Sequence, residues 1–190
     1  MTNRPDRETA ESAVRTLLEY IGDNPDREGL LDTPMRVIKA YDEWFDGYNS
    51  NPDDLLGRTF DDVGGYDDIV LMKNIRFESH CEHHIAPMLG TAHVAYLPAE
   101  RVVGISKLAR VVEAYSKRLQ SQETMTEQIA QSINRVLQPR GVAVIMTGTH
   151  ECISTRGIHK PEIACVTRTL LGEFKTDPNL FRELMDLIKV

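Results

Sequence analysis

The apolar residues of this chain switch between helical spacing and strict alternation, and the order of those switches narrows the folds open to it. Ala10, Val14, Leu17, Leu18 and Ile21 recur at helical spacing until Gly22 stops the run. Thr33-Pro34 then starts a second helix, a cap residue followed by proline at the first helical position. Val37, Ala40, Tyr41, Trp44, Phe45 and Tyr48 form its apolar stripe, and residues 61–68, with Gly64-Gly65, read as a loop. Alternation predicts strands over 69–77 and 91–97. Leu108, Val111, Val112, Tyr115 and Leu119 predict a helix. Met125, Ile129, Ile133, Val136 and Leu137 predict another, which stops at Pro139-Arg140-Gly141. Alternation returns over 142–146 and 163–174, and Asp177-Pro178 caps a short C-terminal helix carrying Leu180, Leu184, Leu187 and Ile188. The expectation is an α+β fold: N-terminal helices over 1–66, then a β-β-α-α-β-β domain over 67–190 with an antiparallel sheet and a short C-terminal helix. A four-stranded sheet with exposed edges implies that something covers them.

Two short clusters concentrate the chemistry. Cys81 and His84, in Cys81-Glu82-His83-His84, have C-x-x-H spacing, and His150-Glu151-Cys152 lies nearly seventy residues downstream. Zinc takes thiolate sulfur and imidazole nitrogen, and a catalytic zinc uses three protein ligands and leaves the fourth position to water. Cys81, His84 and Cys152 supply three such ligands. His83 and His150 are then candidate acid–base groups beside the metal. The alternative is that the cysteines are buried apolar residues and the histidines incidental. Four of the six histidines and two of the three cysteines fall in or beside the two clusters, which favours the metal.

With 190 residues, 41% apolar and 27% charged, the chain fits one soluble globular domain with a helical extension. It shows no apolar run long enough to span a bilayer, and its start lacks the apolar core of a signal peptide. Three widely spaced cysteines do not form a secreted disulfide framework, so the expected setting is the reduced cytoplasm, with no membrane partner. A net charge of −7 and a pI near 5.4 argue against a general nucleic-acid binder. Charge is nonetheless uneven. Between residues 101 and 118 stand Arg101, Lys107, Arg110, Lys117 and Arg118 against one acid, Glu113, while Arg36, Lys39, Arg156 and Lys160 lie near other motifs. A locally basic pocket on an acidic protein suits a small polyanion such as a nucleoside triphosphate; a solvated helix face fits the charge equally well.

Five ordered motifs resemble the GTP cyclohydrolase I family over nearly the whole chain from about Gly29 onward. They are Leu31-Asp32-Thr33-Pro34-Met35-Arg36-Val37, Cys81-Glu82-His83-His84, Gly104-Ile105-Ser106-Lys107-Leu108-Ala109-Arg110, Arg118-Leu119-Gln120-Ser121-Gln122-Glu123, and His150-Glu151-Cys152 with Arg156-Gly157. The resemblance implies a T-fold (tunnelling fold) subunit in a toroidal homodecamer with active sites at subunit interfaces. It implies zinc on Cys81, His84 and Cys152, which acidifies water for attack on C8 of GTP. Formate is released and 7,8-dihydroneopterin triphosphate is formed. By the same match, His150 protonates the imidazole ring of guanine, and His83 serves ring opening and the ribose steps.

Gln122 and Glu123 match the guanine-binding pair. A carboxylate accepts two parallel hydrogen bonds from N1–H and the exocyclic amine of guanine, and adenine offers no equivalent pair. On composition alone Glu123 reads as a helix-start acid stabilised by the macrodipole. Ser106, Lys107, Arg110 and Arg156 match triphosphate and sugar contacts, with Arg36 and Lys39 as contributors from another helix. Ser106 also reads as the N-cap of a helix from Lys107 to Leu119, and a helix N-terminus itself favours phosphate.

The chain departs from the family pattern at Thr124-Met125, where an arginine and an apolar residue are usual, and at Cys165 and Arg168 in the last strand. Cys165 lies outside both half-sites and reads as a packed strand cysteine. Other T-fold enzymes of pterin or deazaguanine metabolism use histidine-only zinc or a nucleophilic cysteine without zinc, and the Cys/His/Cys set fits neither. A zinc deaminase needs H-x-E followed by P-C-x-x-C, and this chain has no such spacing. The remaining alternative is a catalytically silent regulatory or structural zinc protein on the same fold.

Overall fold

The computed structural model describes residues 4–57, 59–60 and 65–190; the first four residues of the expected 61–68 loop lie outside the described residues. The chain forms two compact units, divided between Asp46 and Gly47. In the first, helix α1 (Arg7–Tyr20) packs against α2 (Thr33–Trp44). Asp6 caps α1 by accepting from the Thr9 amide at 2.8 Å. Proline stands in the first turn of α2 as expected, but Thr33 is that helix's first residue rather than its cap, a place Asp32 takes without a side-chain bond.

In the second unit, α3 (Pro52–Leu56), β1 (Thr59–Phe60) and β2 (Val70–Cys81) lead into β3 (Pro87–Leu97) and β4 (Val102–Val103). Helices α4 (Ile105–Ser116) and α5 (Gln122–Leu137) flank a two-residue strand, β5 (Leu119–Gln120). After them come β6 (Gly141–His150), the helical turn α6 (Glu151–Ser154), β7 (Ala164–Gly172), α7 (Glu173–Thr176) and α8 (Pro178–Lys189). Strands β2, β3, β6 and β7 are the four expected from alternation, and each neighbouring pair is antiparallel. The predicted strand over 163–174 stops at Gly172, whose φ of +58° turns the chain into α7.

Alternation explains why the sheet is covered on both sides. From β3 and β6, Ala92, Val94, Tyr96, Val142, Val144 and Met146 face a core completed by Leu108, Val111 and Val112 of α4 and Met125, Ile129 and Ile133 of α5. The intervening Ala95, Leu97, Ala143 and Ile145 pack instead with Phe174 and Leu184 from the C-terminal helices. Truncating a fully buried residue such as Met146 to alanine removes about 2–5 kcal/mol from such a core. Leu56 of α3 is completely buried in the first of these cores, which is why residues just after Gly47 group with the sheet rather than with the N-terminal helices.

Two local expectations fail, each for a physical reason. The helix read as running from Lys107 to Leu119 ends at Ser116, and Leu119-Gln120 adds a fifth strand, parallel to β2, giving the order β5-β2-β3-β6-β7. Arg118 holds that departure: its guanidinium donates to the Gly47 and Ser50 carbonyls at 3.0 and 3.2 Å and lies over the Tyr48 and Tyr115 rings. Ser106 is not the N-cap of α4. Gly104 holds that place without a side-chain bond, and Ser106 is the helix's second residue.

Candidate metal centre

Strand β3 runs between β2 and β6, and its register joins the two half-sites. His80 pairs with Pro87 on one side of β3, and Met88 pairs with His150 on the other. Cys81 is the last residue of β2, and Cys152 follows β6 in the helical turn α6. The turn after Cys81 is tied at both ends. The Cys81 amide donates to the Ala86 carbonyl at 2.8 Å, and the Ile85 amide donates back to the Cys81 carbonyl at 2.8 Å. The Glu82 amide donates to the Gln120 carbonyl at 3.0 Å, so β5 braces the turn that carries His83 and His84.

The ligand atoms of Cys81, His84 and Cys152 lie within 4.8 Å of one another, close enough for one ion to reach all three. Cys81 is buried, Cys152 half-buried and His84 exposed, so the cluster opens to solvent on the histidine side. Burial, then the neighbouring Cys81, pushes the Cys152 thiol above its ordinary pKa. The Cys152 thiol is therefore a poor anion by itself, and a cation beside it reverses that preference. Two sulfurs and one imidazole form a soft donor set that suits zinc and leaves a coordination position open. Cys165 is not in the cluster. It is half-buried on β7, and burial, then the charge of Glu123, raises its thiol.

His83 Nδ1 lies 3.5 Å from the Cys81 sulfur, and its side chain is 68% exposed. His150, at the end of β6, is half-buried, with Nε2 2.9 Å from Gln122 Oε1. His83 thus lies at the metal cluster without belonging to it, while His150 precedes Cys152 by two residues and turns Nε2 to Gln122. Arg156 also reaches the cluster, with Nη1 3.0 Å from His84 Nε2.

Gln122 differs from the substrate contact expected of it. It is completely buried, and its two amide hydrogens are shared among the Met146 carbonyl, the Cys165 carbonyl and the Thr167 hydroxyl, all within 3.2 Å of the nitrogen. Sequence reasoning passed over Thr167 and Gly148, which shape this pocket; a Cβ on Gly148 would stand 2.9 Å from Gln122 Oε1. An isolated glycine within the strand was the available signal.

Glu123 stands exposed in the first turn of α5. On α4, Ser106 and Arg110 are exposed and Lys107 half-buried. The basic excess near residues 101–118 divides in two. Lys117 pairs with Glu113 at 3.3 Å and Arg118 anchors β5, whereas the Lys107 and Arg110 side chains have no hydrogen bond or ion pair among the described residues. Arg36 and Lys39 belong to α2 in the N-terminal unit, where Arg36 pairs with Asp32 at 3.1 Å. No helix among the described residues is long and apolar enough to cross a membrane.

The family model for GTP cyclohydrolase I matches residues 10–189. A protein from Maricaulis maris named GTP cyclohydrolase 1 is 57% identical over 189 residues, covering 100% of this chain and 92% of that protein. Its namesake from Allorhizobium ampelinum is 61% identical over 176 residues, covering 93% of this chain and 88% of the relative. A third, from Hyphomonas neptunium, is 54% identical over 97% of this chain and 89% of its own length. With the β-β-α-α-β-β order and the Cys/His/Cys cluster in place, the chain belongs to the GTP cyclohydrolase I family and has its T-fold.

Proposed function

We propose that this chain converts GTP and water to formate and 7,8-dihydroneopterin triphosphate, the entry reaction of pterin and tetrahydrofolate biosynthesis, at a zinc centre held by Cys81, His84 and Cys152. The observation that carries the reading is the convergence of those three ligand atoms within 4.8 Å, with His83 beside them, in a chain of this family. Zinc, when bound, supplies the Lewis acidity that makes a water reactive near neutral pH.

The remaining work falls to the chain's own side chains. C8 of guanine is attacked, the imidazole ring opens, and a second hydrolysis releases C8 as formate. The ribose then rearranges to a ketose, whose carbon closes the new ring. Each stage moves protons, which is the task of the acid–base pair His150 and His83. His150 protonates the guanine imidazole ring during attack, and the more exposed His83 serves ring opening and the ribose steps. Glu123 accepts from N1–H and the exocyclic amine, a pair of donors adenine lacks.

Lys107, Arg110 and Arg156, with Ser106, hold the triphosphate, and Arg36 and Lys39 contribute from α2. The lack of internal partners for Lys107 and Arg110 supports this, because charge-assisted bonds to phosphate are among the stronger polar contacts. The proposed assembly is a homo-oligomer, a toroidal decamer with active sites at subunit interfaces. Strand β7 lies at one end of the sheet order and exposes Val166, which supports a neighbour there. The free state of Cys81, Cys152 and Cys165 fits the proposed cytoplasmic setting.

Incubation of the purified protein with GTP, and separately with ATP, followed by mass spectrometry of the products, tests the reading. Dihydroneopterin triphosphate from GTP alone is expected. Zinc binding without any conversion of GTP would instead mark a silent zinc protein on the same fold.

A further inference from the structure

We infer that Gln122 is a positioning residue that aims His150 through its Nε2–H, and that the nitrogen left to exchange protons with substrate is Nδ1. The orientation of the Gln122 amide is not a free choice. Its nitrogen stands 3.2 Å from the Met146 carbonyl, 3.0 Å from the Cys165 carbonyl and 3.0 Å from the Thr167 hydroxyl. Rotating the amide by half a turn would set its oxygen against two carbonyl oxygens, so only one orientation satisfies this pocket. Oε1 is thereby fixed 2.9 Å from His150 Nε2. An amide oxygen only accepts, so Nε2 must carry the hydrogen, and in the neutral ring the lone pair is then on Nδ1.

The pocket is built around this contact. Gln122 is completely buried at the first position of α5, and Gly148 leaves the space its oxygen occupies. Thr167 is itself held, with its hydroxyl 2.7 Å from that of Thr126. The acceptors come from β6 and β7 while the amide comes from α5, so three elements converge to set one ring. The two amide hydrogens of Gln122 are thus committed inside the pocket rather than to guanine. Orientation of this kind is worth a large factor in rate, because small misplacements of an acid–base group are costly.

The inference rests on His150 acting in the reaction proposed above, and the test separates the two. Histidine nitrogens of the zinc-loaded protein would be labelled with ¹⁵N and read by solid-state NMR, with His150→Ala identifying the His150 signals. Within the neutral ring, the expected spectrum shows one tautomer only, with hydrogen on Nε2. Gln122→Met should abolish that single-tautomer signature, retain zinc, lower kcat by about ten- to a hundredfold, and leave KM for GTP nearly unchanged. Thr167→Val, which loosens only one anchor of the amide, should give a smaller loss in kcat with the same unchanged KM, and serves if Gln122→Met does not fold. A wild-type spectrum with hydrogen on Nδ1, or a Gln122→Met enzyme with raised KM and intact kcat, would overturn the inference and return Gln122 to substrate binding. If wild-type protein formed no product from GTP, the functional reading would fail while the tautomer remained measurable.

Discussion

Arg156 Nη1 lies 3.0 Å from His84 Nε2, so a cation stands beside one residue of the metal cluster. Arginine only donates, and it holds its charge at every accessible pH. It therefore adds positive potential where a triphosphate is proposed to sit. Arg156→Ala should keep its zinc and weaken GTP binding by roughly ten- to a hundredfold, the worth of one charge-assisted phosphate contact. Calorimetry with GTP, paired with metal analysis, reads both; wild-type affinity in this variant would remove Arg156 from the site.

Cys152→Ala tests the ligand set itself. With one of two thiols gone, near-stoichiometric zinc in the wild-type protein should fall sharply, and turnover with it. Full zinc retention in the purified variant would contradict the assignment of Cys152.

His83→Ala and His150→Ala should separate proton transfer from metal binding. Both are expected to keep zinc while kcat falls by about 10²–10⁴-fold, the usual cost of losing an acid–base group. His150→Ala should leave bound GTP unchanged, and His83→Ala should accumulate a ring-opened formamide, seen by mass spectrometry of single-turnover mixtures. Loss of zinc from either variant would instead make that histidine a ligand.

The strands, the helices over the sheet and the grouping of Cys81, His84 and Cys152 were legible because each is written in local pattern: alternation, helical spacing, and Cys and His clustered at strand ends. What escaped depends on distant partners. Nothing near Leu119-Gln120 announces a strand, since Arg118 is drawn away from α4 by carbonyls at Gly47 and Ser50. Gln122 read as a substrate contact because the groups that occupy its amide lie on β6 and β7. Ser106 looked like a cap, but α4 begins one residue before it.

A stability prediction follows from the link between α3 and α5. Asp53 accepts two bonds from Arg135, at 2.7 and 2.8 Å, and one from the Ser132 hydroxyl. The Arg135 guanidinium, foremost, holds the Asp53 carboxyl below its ordinary pKa. Because the folded value is depressed, the stabilisation is complete above the unfolded aspartate value of about 3.9 and is lost as pH falls through the folded value. Asp53→Ala should cost about 1–3 kcal/mol near neutral pH, read from denaturant midpoints. The difference from wild type should shrink on acidification; a gap that widened at low pH would refute the sign.

The most direct measurement follows GTP labelled at C8 through zinc removal and return. Zinc-loaded protein should release the label as formate in a one-to-one ratio with dihydroneopterin triphosphate. Chelated protein should release none, and added zinc should restore the reaction. Equal formate release by the chelated protein, or by a Cys81→Ala and Cys152→Ala double variant, would contradict the claim that the Cys81, His84 and Cys152 centre performs this chemistry.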